Sequence, residues 1–233
     1  MLEQRKGTGR LYLVATPIGN QEDITLRGIK VLRNVDLIAA EDTRRAKRLL
    51  ARYRIRAPLT SFFEHNEPVK KEALIKRMIA GEDIALISDA GTPGISDPGF
   101  PLIRQAIEEG IEVIPIPGPS AHVAALILSG LPTDSFHFFG FLPPKGAKRN
   151  KRLDEIRELR GTIVLYEAPH RLLRTLHDLQ EHCGERQVVV ARELTKTYEE
   201  VIRGEIGKVL MEVHGKKIRG EITLVLAGKG RGT

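Results

Sequence analysis

The chain has 233 residues, of which 41% are hydrophobic and 29% charged, and its formal net charge at pH 7 is +7. This balance excludes global disorder, because the apolar fraction can form a sizeable core, and the length favours one or two domains. No apolar stretch reaches the roughly 20 residues of a membrane span, and Met1–Arg10 lacks the apolar core of a signal peptide, so we expect a cytoplasmic protein.

Short apolar runs alternate with helical periodicities along the first half of the chain. The apolar runs predict strands at 11–15, 37–40, 59–62, 84–87 and 113–114. The periodic segments predict helices at 24–32, 43–53 and 68–80, and a further helix that opens at Asp97 and ends at Gly110. Strands that are apolar throughout and alternate with helices indicate a mostly parallel sheet covered on both faces.

The composition changes sharply at Pro115–Pro119, which contains three prolines. Proline removes a backbone donor and fixes φ, so we expect neither a strand nor a helix to continue through this segment. We place a domain boundary here, which divides the chain into α/β domains 1–117 and 118–233.

The second half shows strands that follow one another directly. After a helix at 120–128, the pattern predicts strands at 136–141, 162–166, 188–190, 198–202 and 222–226, with a helix face at 172–179. The two strands around 192–203 indicate a hairpin, so this domain should contain a mixed sheet.

The positive charge is concentrated in three runs that contain no acidic residue, at 44–56, 145–152 and 216–219. Clusters of this kind neutralise phosphates. Any one run could be a solvated helix face, but three runs favour a polyanionic partner.

Three loops at the ends of predicted strands are rich in glycine and proline, at 15–20, 88–99 and 117–121. In an open α/β sheet, ligands bind outside the carboxyl ends of the strands. Glycine lets the backbone approach a ligand, and proline fixes the loop shape beforehand. Three such loops favour a ligand pocket over turn chemistry alone.

The commoner cofactor and metal signatures are absent from the sequence. There is no P-loop, no G-x-G-x-x-G after the first strand and no G-x-S-x-G elbow. Cys183 is the only cysteine, and the seven histidines show no H-x-x-x-H spacing, so we expect no internal disulfide and no metal site.

Polar clusters follow other strands, at 41–44, 61–67, 166–171 and 192–196. Taken singly, Asp42 is as consistent with a helix cap as with a catalytic acid, and Glu193 is as consistent with a surface ion pair. Together the clusters should line the same sheet edge as the glycine and proline loops, as an active site would.

These motifs resemble the tetrapyrrole (corrin/porphyrin) methylase superfamily, and within it most closely the branch that methylates small-subunit ribosomal RNA. The carriers are LYLVATPIGN, AAEDTR, SFFEHNE, SDAGTPGISDPG, PIPGPSA, SGLPTDSFHFFGFLPPK and YEAPHR. The resemblance extends from Leu11 to about Ala227. It implies a mostly parallel N-terminal sheet, a mixed C-terminal sheet, a ligand cleft between the domains, S-adenosylmethionine as methyl donor and a homodimer. It also implies 2'-O-methylation of a cytidine in the decoding centre of 16S rRNA.

One motif departs from the superfamily. Tetrapyrrole methylases commonly carry Gly-Asp-Pro in the central loop, whereas this chain has Gly91-Thr92-Pro93. A hydroxyl replaces the carboxylate, so donor contacts there would come from the backbone. The departure counts against a tetrapyrrole substrate.

The resemblance and the strand-end positions together nominate site residues. By similarity, the donor should contact Pro17, Gly19, Asp89, Gly91, Thr92, Pro93, Ile95, Ser120, Ala121, Tyr166, Arg192, Ile222 and Thr223. Candidate bases for a ribose hydroxyl are Glu41, Asp42, Glu64, His65 and Glu167. Phosphates should be held by Arg44, Arg45, Arg48, Lys145, Arg149 and Arg171.

The aromatic residues are few, and Phe63 and Tyr166 are the ones we expect to stack on an extruded base. We expect the other candidates to be core residues: Phe62, Phe138, Phe139 and Phe141.

Two alternatives stay open at this point. A tetrapyrrole C- or N-methyltransferase would share the fold and the donor, but it would not explain the basic runs. A catalytically silent RNA-binding factor in ribosome assembly would explain the charge, but it would leave the three loops without a role.

Overall fold

A computed structural model of the protein describes residues 7–230. The first six residues of Met1–Arg10, on which the expectation about targeting partly rests, lie outside this range. The chain divides into two compact units, Met1–Ser120 and Ala121–Thr233. Within 7–230, no helix is long and apolar enough to cross a membrane.

The N-terminal unit is a five-stranded parallel sheet with helices on both faces. In chain order its elements are β1 (Arg10–Val14), a 3₁₀ helix (Gln21–Asp23), α1 (Leu26–Asn34), β2 (Leu37–Ala40), α2 (Thr43–Arg52), β3 (Leu59–Ser61), α3 (Glu67–Ile79), β4 (Ile84–Ile87), α4 (Phe100–Glu108) and β5 (Glu112–Ile116). The strand order is β3-β2-β4-β1-β5, and every pairing is parallel. The predicted parallel sheet is confirmed.

The two faces of this sheet carry separate apolar clusters. Leu32 of α1 and Leu49 of α2 pack on one face, and Leu74 of α3 and Leu102 of α4 pack on the other. With this distribution of helices and this strand order, all four strand-to-strand crossovers have the same hand, as the general rule of right-handed crossovers requires. The β4 strand is buried at all four positions, as expected of a central strand covered on both sides.

Strand β5 continues through Pro115 to Ile116, so the expectation that no strand enters the proline-rich segment is wrong. Pro115 lies opposite Leu13 of β1. Because β5 is the edge strand, no second neighbour requires the N–H that proline lacks, and Pro115 is exposed.

The C-terminal unit contains a mixed five-stranded sheet. Its elements are α5 (Ala121–Ser129), β6 (Phe136–Phe141), α6 (Ala147–Glu158), β7 (Thr162–Glu167), a 3₁₀ helix (Pro169–Arg171), α7 (Leu172–Cys183), β8 (Gln187–Arg192), β9 (Glu200–Glu205), α8 (Ile206–Val213) and β10 (Ile222–Leu226). The order is β6-β7-β10-β8-β9, with β6 and β7 parallel and the other pairs antiparallel. The predicted mixed sheet and the β8–β9 hairpin are confirmed.

Helices α6 and α8 have no counterpart among the predicted elements. The α6 helix contains the second basic run, and its buried apolar residues are only Leu153 and Ile156, so its periodicity is weak. The α8 helix follows β9 without an intervening turn. With α7, the two helices cover one face of the sheet, where Leu153, Leu176 and Val209 belong to one apolar cluster.

Candidate active site

The three glycine and proline loops of the N-terminal unit meet at the carboxyl edge of its sheet, where all five parallel strands end. Thr16 and Gly91 exchange two backbone hydrogen bonds, each 2.9 Å long. The Thr16 hydroxyl also donates to the Ser88 carbonyl oxygen at 3.1 Å. A Cβ built on Gly91 would lie 3.6 Å from the Pro119 carbonyl oxygen, so the third loop borders the first two.

The backbone of the long central loop adopts conformations that side chains disfavour. Gly91 has a φ of +83°, in the left-handed region. Ser96, which carries a Cβ, has a φ of +60°. A left-handed non-glycine residue costs about 1–2 kcal/mol, and such strain is concentrated at ligand-binding and active sites.

The residues predicted to contact the donor in this unit all lie on the three loops. Gly91 and Pro93 are buried and help to form the loop base, while Gly19 and Ile95 are exposed. The others are half-buried: Pro17, Asp89, Thr92 and Ser120.

Carboxylates from two neighbouring strands form a cluster on this edge. Asp89 follows β4, and its Oδ1 accepts a hydrogen bond from the Asp42 backbone N at 3.0 Å. The Asp89 backbone N donates to Glu41 Oε2 at 3.3 Å. Arg45 on α2 pairs with Asp89 at 3.3 Å between Nη1 and Oδ2. Because β2 and β4 are adjacent, the fold joins residues that are more than 40 positions apart in sequence.

The consecutive residues Glu41 and Asp42 differ in their acidity. Burial raises the pKa of Glu41, and the nearby negative charge of Asp89 acts in the same direction. Hydrogen bonds from Arg44 lower the pKa of Asp42 to about 2. Asp42 also caps α2, where its Oδ1 accepts from the Arg44 backbone N at 2.7 Å. Glu41 is therefore the better proton acceptor of the two.

Glu64 and His65 lie after β3, the edge strand of the sheet, and both are exposed. The His65 ring contacts Phe63 edge-on, with ring centroids 6.4 Å apart. Among the residues that the structure describes, neither Glu64 nor His65 forms a hydrogen bond or an ion pair with Glu41 or Asp89. The structure does not bring these two candidates into the carboxylate cluster.

The predicted donor contacts of the C-terminal unit converge at one edge of its own sheet. Central strand β10 begins where β7 and β8 end, so Thr223 lies opposite Tyr166 and Ile222 lies opposite Arg192. Arg192 Nε donates to Glu200 Oε2 at 2.5 Å. Ala121 begins α5, which packs on β7, β8 and β10.

An aromatic group surrounds Tyr166, and the sequence analysis did not assign His122 to it. His122 stacks on Phe138 with ring centroids 4.6 Å apart, and its Nδ1 lies 3.3 Å from the Tyr166 hydroxyl. Burial lowers the pKa of His122, so its neutral form is favoured. Phe141 also contacts Tyr166 but is 56% exposed, so its prediction as a core residue is wrong, whereas Phe62 is fully buried as predicted.

Glu167 occupies a structural position and does not face an open site. It is 2% exposed. Its carboxylate accepts from Thr175 Oγ1 at 2.5 Å and from the Ala168 backbone N at 2.8 Å, and it pairs with Arg171 at 3.2 Å. Arg171 also donates to the Leu142 carbonyl oxygen at 2.6 Å. A buried and fully paired carboxylate cannot also reach a substrate, so Glu167 leaves the set of candidate bases.

Arg149 joins the same buried network and also corrects a prediction. It is 2% exposed, although it lies within a basic run. Its guanidinium donates to Asp178 at 2.7 Å, to Thr175 at 2.9 Å and to the Pro143 carbonyl oxygen at 3.0 Å. Because these partners occupy its donors inside the unit, Arg149 leaves the set of phosphate contacts.

Four of the five other basic candidates lie at the surface, and the fifth, Arg171, is partly buried. Arg44, Arg45 and Arg48 are exposed on α2, which begins two residues after Glu41. Arg44 pairs with Asp42 at 3.0 Å and keeps 89% of its side chain exposed. Lys145 is exposed in the loop between β6 and α6. Within 7–230, no group of three histidine, cysteine or acidic side chains is arranged to hold a metal ion.

Comparisons with known proteins identify relatives of this chain. A family model described as Tetrapyrrole (Corrin/Porphyrin) Methylases matches residues 10–210. A protein of Halalkalibacterium halodurans named "Ribosomal RNA small subunit methyltransferase I" is 50% identical over 228 residues, which cover 98% of this chain and 79% of the relative. A protein of the same name from Thermotoga maritima is 48% identical over 221 residues, which cover 95% of this chain and 99% of the relative.

Solved structures share the fold at low sequence identity. The cobalamin biosynthetic enzyme cobalt precorrin-4 methyltransferase has a TM-score of 0.68 and 16% identity, with 94% of each chain covered. Uroporphyrin-III C-methyl transferase from Thermus thermophilus, complexed with S-adenyl homocysteine, has a TM-score of 0.65 and 18% identity, with 94% of this chain and 97% of that chain covered.

Proposed function

The chain belongs to the tetrapyrrole (corrin/porphyrin) methylase family, and from that premise we propose that it methylates small-subunit ribosomal RNA. The donor would be S-adenosylmethionine, and the acceptor would be a cytidine 2'-hydroxyl in the decoding centre of 16S rRNA. The names of the relatives at about half identity support the RNA substrate. The observation that carries the proposal is a half-buried carboxylate, Glu41, placed directly before a basic helix.

The loops of the N-terminal unit fit a donor that is held largely by backbone. Gly91 turns left-handed at a point where a Cβ would lie 3.6 Å from Ile18 Cγ2 and from the Pro119 carbonyl oxygen. The residues proposed to hold the donor here are Pro17, Gly19, Asp89, Gly91, Thr92, Pro93, Ile95 and Ser120. In the C-terminal unit they are Ala121, Tyr166, Arg192, Ile222 and Thr223.

When bound, the donor supplies a methyl group on a sulfonium, which needs no further activation. The remaining task of the protein is to orient the ribose oxygen and to accept its proton. We assign the proton to Glu41, because burial raises its pKa and Asp42 stays ionised with its oxygens committed to Arg44. Asp89 positions Glu41 through its backbone N–H and is itself held by Arg45.

The basic residues beside this carboxylate would hold the RNA backbone. The exposed face of α2, which starts next to Glu41, carries Arg44, Arg45 and Arg48. Phosphates bound to these arginines would place a neighbouring ribose near the Glu41 carboxylate. Lys145 and the partly buried Arg171 stay candidates in the C-terminal unit. Phe63 is 37% exposed, and with Tyr166 it stays a candidate for stacking on the target base.

The two alternatives explain less of the molecule. A tetrapyrrole substrate gives no role to the exposed cations of α2. In addition, Thr92 stands where tetrapyrrole methylases commonly carry the aspartate of Gly-Asp-Pro. A silent RNA-binding factor does not require the left-handed loop or the carboxylate with a raised pKa.

Methyl transfer from labelled S-adenosylmethionine tests the proposal. Purified small subunits that lack the modification, naked 16S rRNA and a tetrapyrrole would be offered in parallel. Label on one cytidine ribose, located by resistance of the adjacent phosphodiester to alkaline cleavage, is the expected result. Label on the tetrapyrrole alone would overturn the substrate, and absence of donor binding would favour the assembly factor.

We also propose that the active form is a homodimer in the cytoplasm. Separately, we propose that the boundary between the two domains falls between residues 117 and 118. The resemblance is the support for the dimer, and the proline-rich segment is the support for the boundary. Light scattering of the purified protein tests the first, since a monomer at assay concentration would contradict it. Limited proteolysis, with cleavage expected near Pro117, tests the second.

A further inference from the structure

A groove of about 440 Å³ lies at the amino edge of the N-terminal sheet, where the strands begin. Arg10 at the start of β1 and Asp83 just before β4 line it, together with α1. The predicted donor loops lie at the opposite edge. A five-residue strand spans about 16 Å, so this groove is separate from those loops.

The lining of the groove combines cations with an apolar floor. Arg27 and Lys30 lie one turn apart on α1, so they share a face, and both are exposed. Neither forms an ion pair in the described part of the chain. Tyr12 and Val31 contribute apolar surface beside them.

Arg10 is held rigidly at the end of the groove. Its Nε and Nη2 donate to the two Asp83 oxygens at 3.1 Å and 2.6 Å, and its backbone N donates to Asp83 Oδ1 at 3.0 Å. The guanidinium carbon lies 5.4 Å from the centre of the Tyr12 ring. Since Arg10 already neutralises Asp83, the charges of Arg27 and Lys30 are available for a ligand.

We propose that this groove binds one nucleotide of the RNA substrate, with a phosphate at Arg27 and Lys30 and the base against Tyr12 and Val31. The inference rests on the proposed function, which supplies RNA as the ligand. Cations alone would suit any anion, but the groove is far larger than a phosphate ion needs and falls within the range of organic ligand sites. A flat base attached to a phosphate matches both parts of the lining.

The test is direct binding of in vitro transcribed 16S rRNA, without donor, to the full-length double variant R27A/K30A. Loss of two phosphate contacts should raise the Kd about tenfold at low salt and make the log Kd against log salt slope shallower by about 1.5. The control is K76A, an exposed lysine of α3 without an ion pair among the described residues, which should change the Kd less than twofold.

A second variant tests the base contact. Y12L keeps an apolar side chain but removes the aromatic ring, while Asp83 still holds Arg10 in place, and the variant should raise the Kd at least fivefold with an unchanged salt slope. Donor affinity, and kcat at saturating RNA, should stay at the wild-type level in R27A/K30A, because the groove lies away from the donor loops.

Two results would overturn the groove as an RNA site. One is a wild-type Kd and salt slope in R27A/K30A. The other is competition by free cytidine monophosphate or inorganic phosphate at the groove without any effect of R27A/K30A on RNA binding. Failure of methyl transfer by the wild-type protein would instead overturn the proposed function, and the donor-free binding assay would still report on the groove.

Discussion

At the scale of single residues, Glu41 and Asp42 show how the fold separates two adjacent carboxylates. Asp42 faces the start of α2, where hydrogen bonds from Arg44 hold it ionised. Glu41 turns toward the loop after β4, and its burial favours the protonated form. A site that removes a proton near neutral pH needs the buried environment of Glu41, because a base with a pKa of about 2, such as Asp42, has little affinity for a proton.

We expect E41Q to lower kcat by about 10²- to 10⁴-fold, the range typical of a lost general base. As a base Glu41 acts when ionised, so the wild-type rate should fall as pH falls through its raised pKa. The rate of E41Q should not show that dependence. The pH–rate profile of methyl transfer at saturating RNA is the measurement, and D42N is the control, since asparagine still caps a helix.

The same substitution has a predicted effect on stability with a defined sign. A glutamate whose pKa is raised on folding contributes stability at low pH, which is lost as pH rises through the folded pKa. At pH 7.5 the ionised Glu41 is therefore unfavourable, and E41Q should raise the Tm. Below pH 4 the difference should vanish, and an equal Tm of both proteins at every pH would contradict the burial argument.

Arg149 supports a prediction about stability instead of RNA binding. R149A removes the buried guanidinium that bonds Asp178, Thr175 and the Pro143 carbonyl oxygen, and it leaves Asp178 only the longer ion pair with Arg174 at 3.9 Å. The free energy of unfolding should therefore fall by about 3 kcal/mol. Urea denaturation measures this loss. K148A, which changes the exposed neighbour, should stay within about 0.5 kcal/mol of the wild type, and similar values for the two variants would contradict the structural role.

At the scale of elements, a parallel sheet collects loops that are distant in sequence. The carboxyl ends of β1, β4 and β5 lie at one edge of the sheet because all three strands run in the same direction. The bridge between Thr16 and Gly91 then joins the first two loops. Donor binding at this edge, as we propose it, would depend on the loop conformation that Gly91 adopts with its left-handed φ.

G91A tests that dependence against a matched glycine. Gly91 and Gly110 have similar left-handed φ values, +83° and +71°, so alanine should destabilise the protein by about 1–2 kcal/mol at either position. Gly110 ends the turn after α4 with open space around it, whereas Gly91 lies among the loops. Calorimetry should show at least tenfold weaker S-adenosylmethionine binding in G91A and unchanged binding in G110A; equal affinities would remove Gly91 from the donor site.

At the scale of the whole molecule, the net charge of +7 governs the partner and not the fold. The fold divides the cations into two kinds. Arg149 is used inside the C-terminal unit, whereas the cations of α2 and of the amino-edge groove stay at the surface. Only the surface cations can release counterions from RNA.

The salt dependence of methyl transfer follows from this division. The exposed phosphate contacts that we propose number six, and Arg171 is not counted because it is partly buried and paired with Glu167. The six are Arg27, Lys30, Arg44, Arg45, Arg48 and Lys145, and they predict a log–log slope of roughly −4 for single-stranded RNA. We therefore expect kcat/KM for RNA to fall roughly three hundredfold between 50 and 200 mM salt. Donor affinity should change much less over the same range. A slope near zero would contradict phosphate recognition.

The sequence by itself determined the class of fold and indicated the loops of the proposed site. Apolar runs and helical periods located every strand to within a few residues, because burial on both faces leaves a strong local signal. The sequence patterns did not predict helices α6 and α8, because α6 has few apolar residues and α8 follows a strand directly. The continuation of β5 through Pro115 was not predicted either. A strand tolerates proline at the edge of a sheet, and the edge position of β5 is known only once the strand order is known.

The tertiary structure decided the burial and the partners of each candidate residue. From residue type and sequence position alone, Glu41, Asp42 and Glu167 were equally good candidates for the base. In the same way, Arg149 was as good a candidate for a phosphate contact as Arg48. Burial and partners separate them. Glu167 and Arg149 are both buried and both bond the Thr175 hydroxyl inside the C-terminal unit, whereas Glu41 acquires a raised pKa beside Asp89. The physical reason is that the acidity and the reach of a charged side chain depend on its surroundings in space, which strand order sets and local sequence does not.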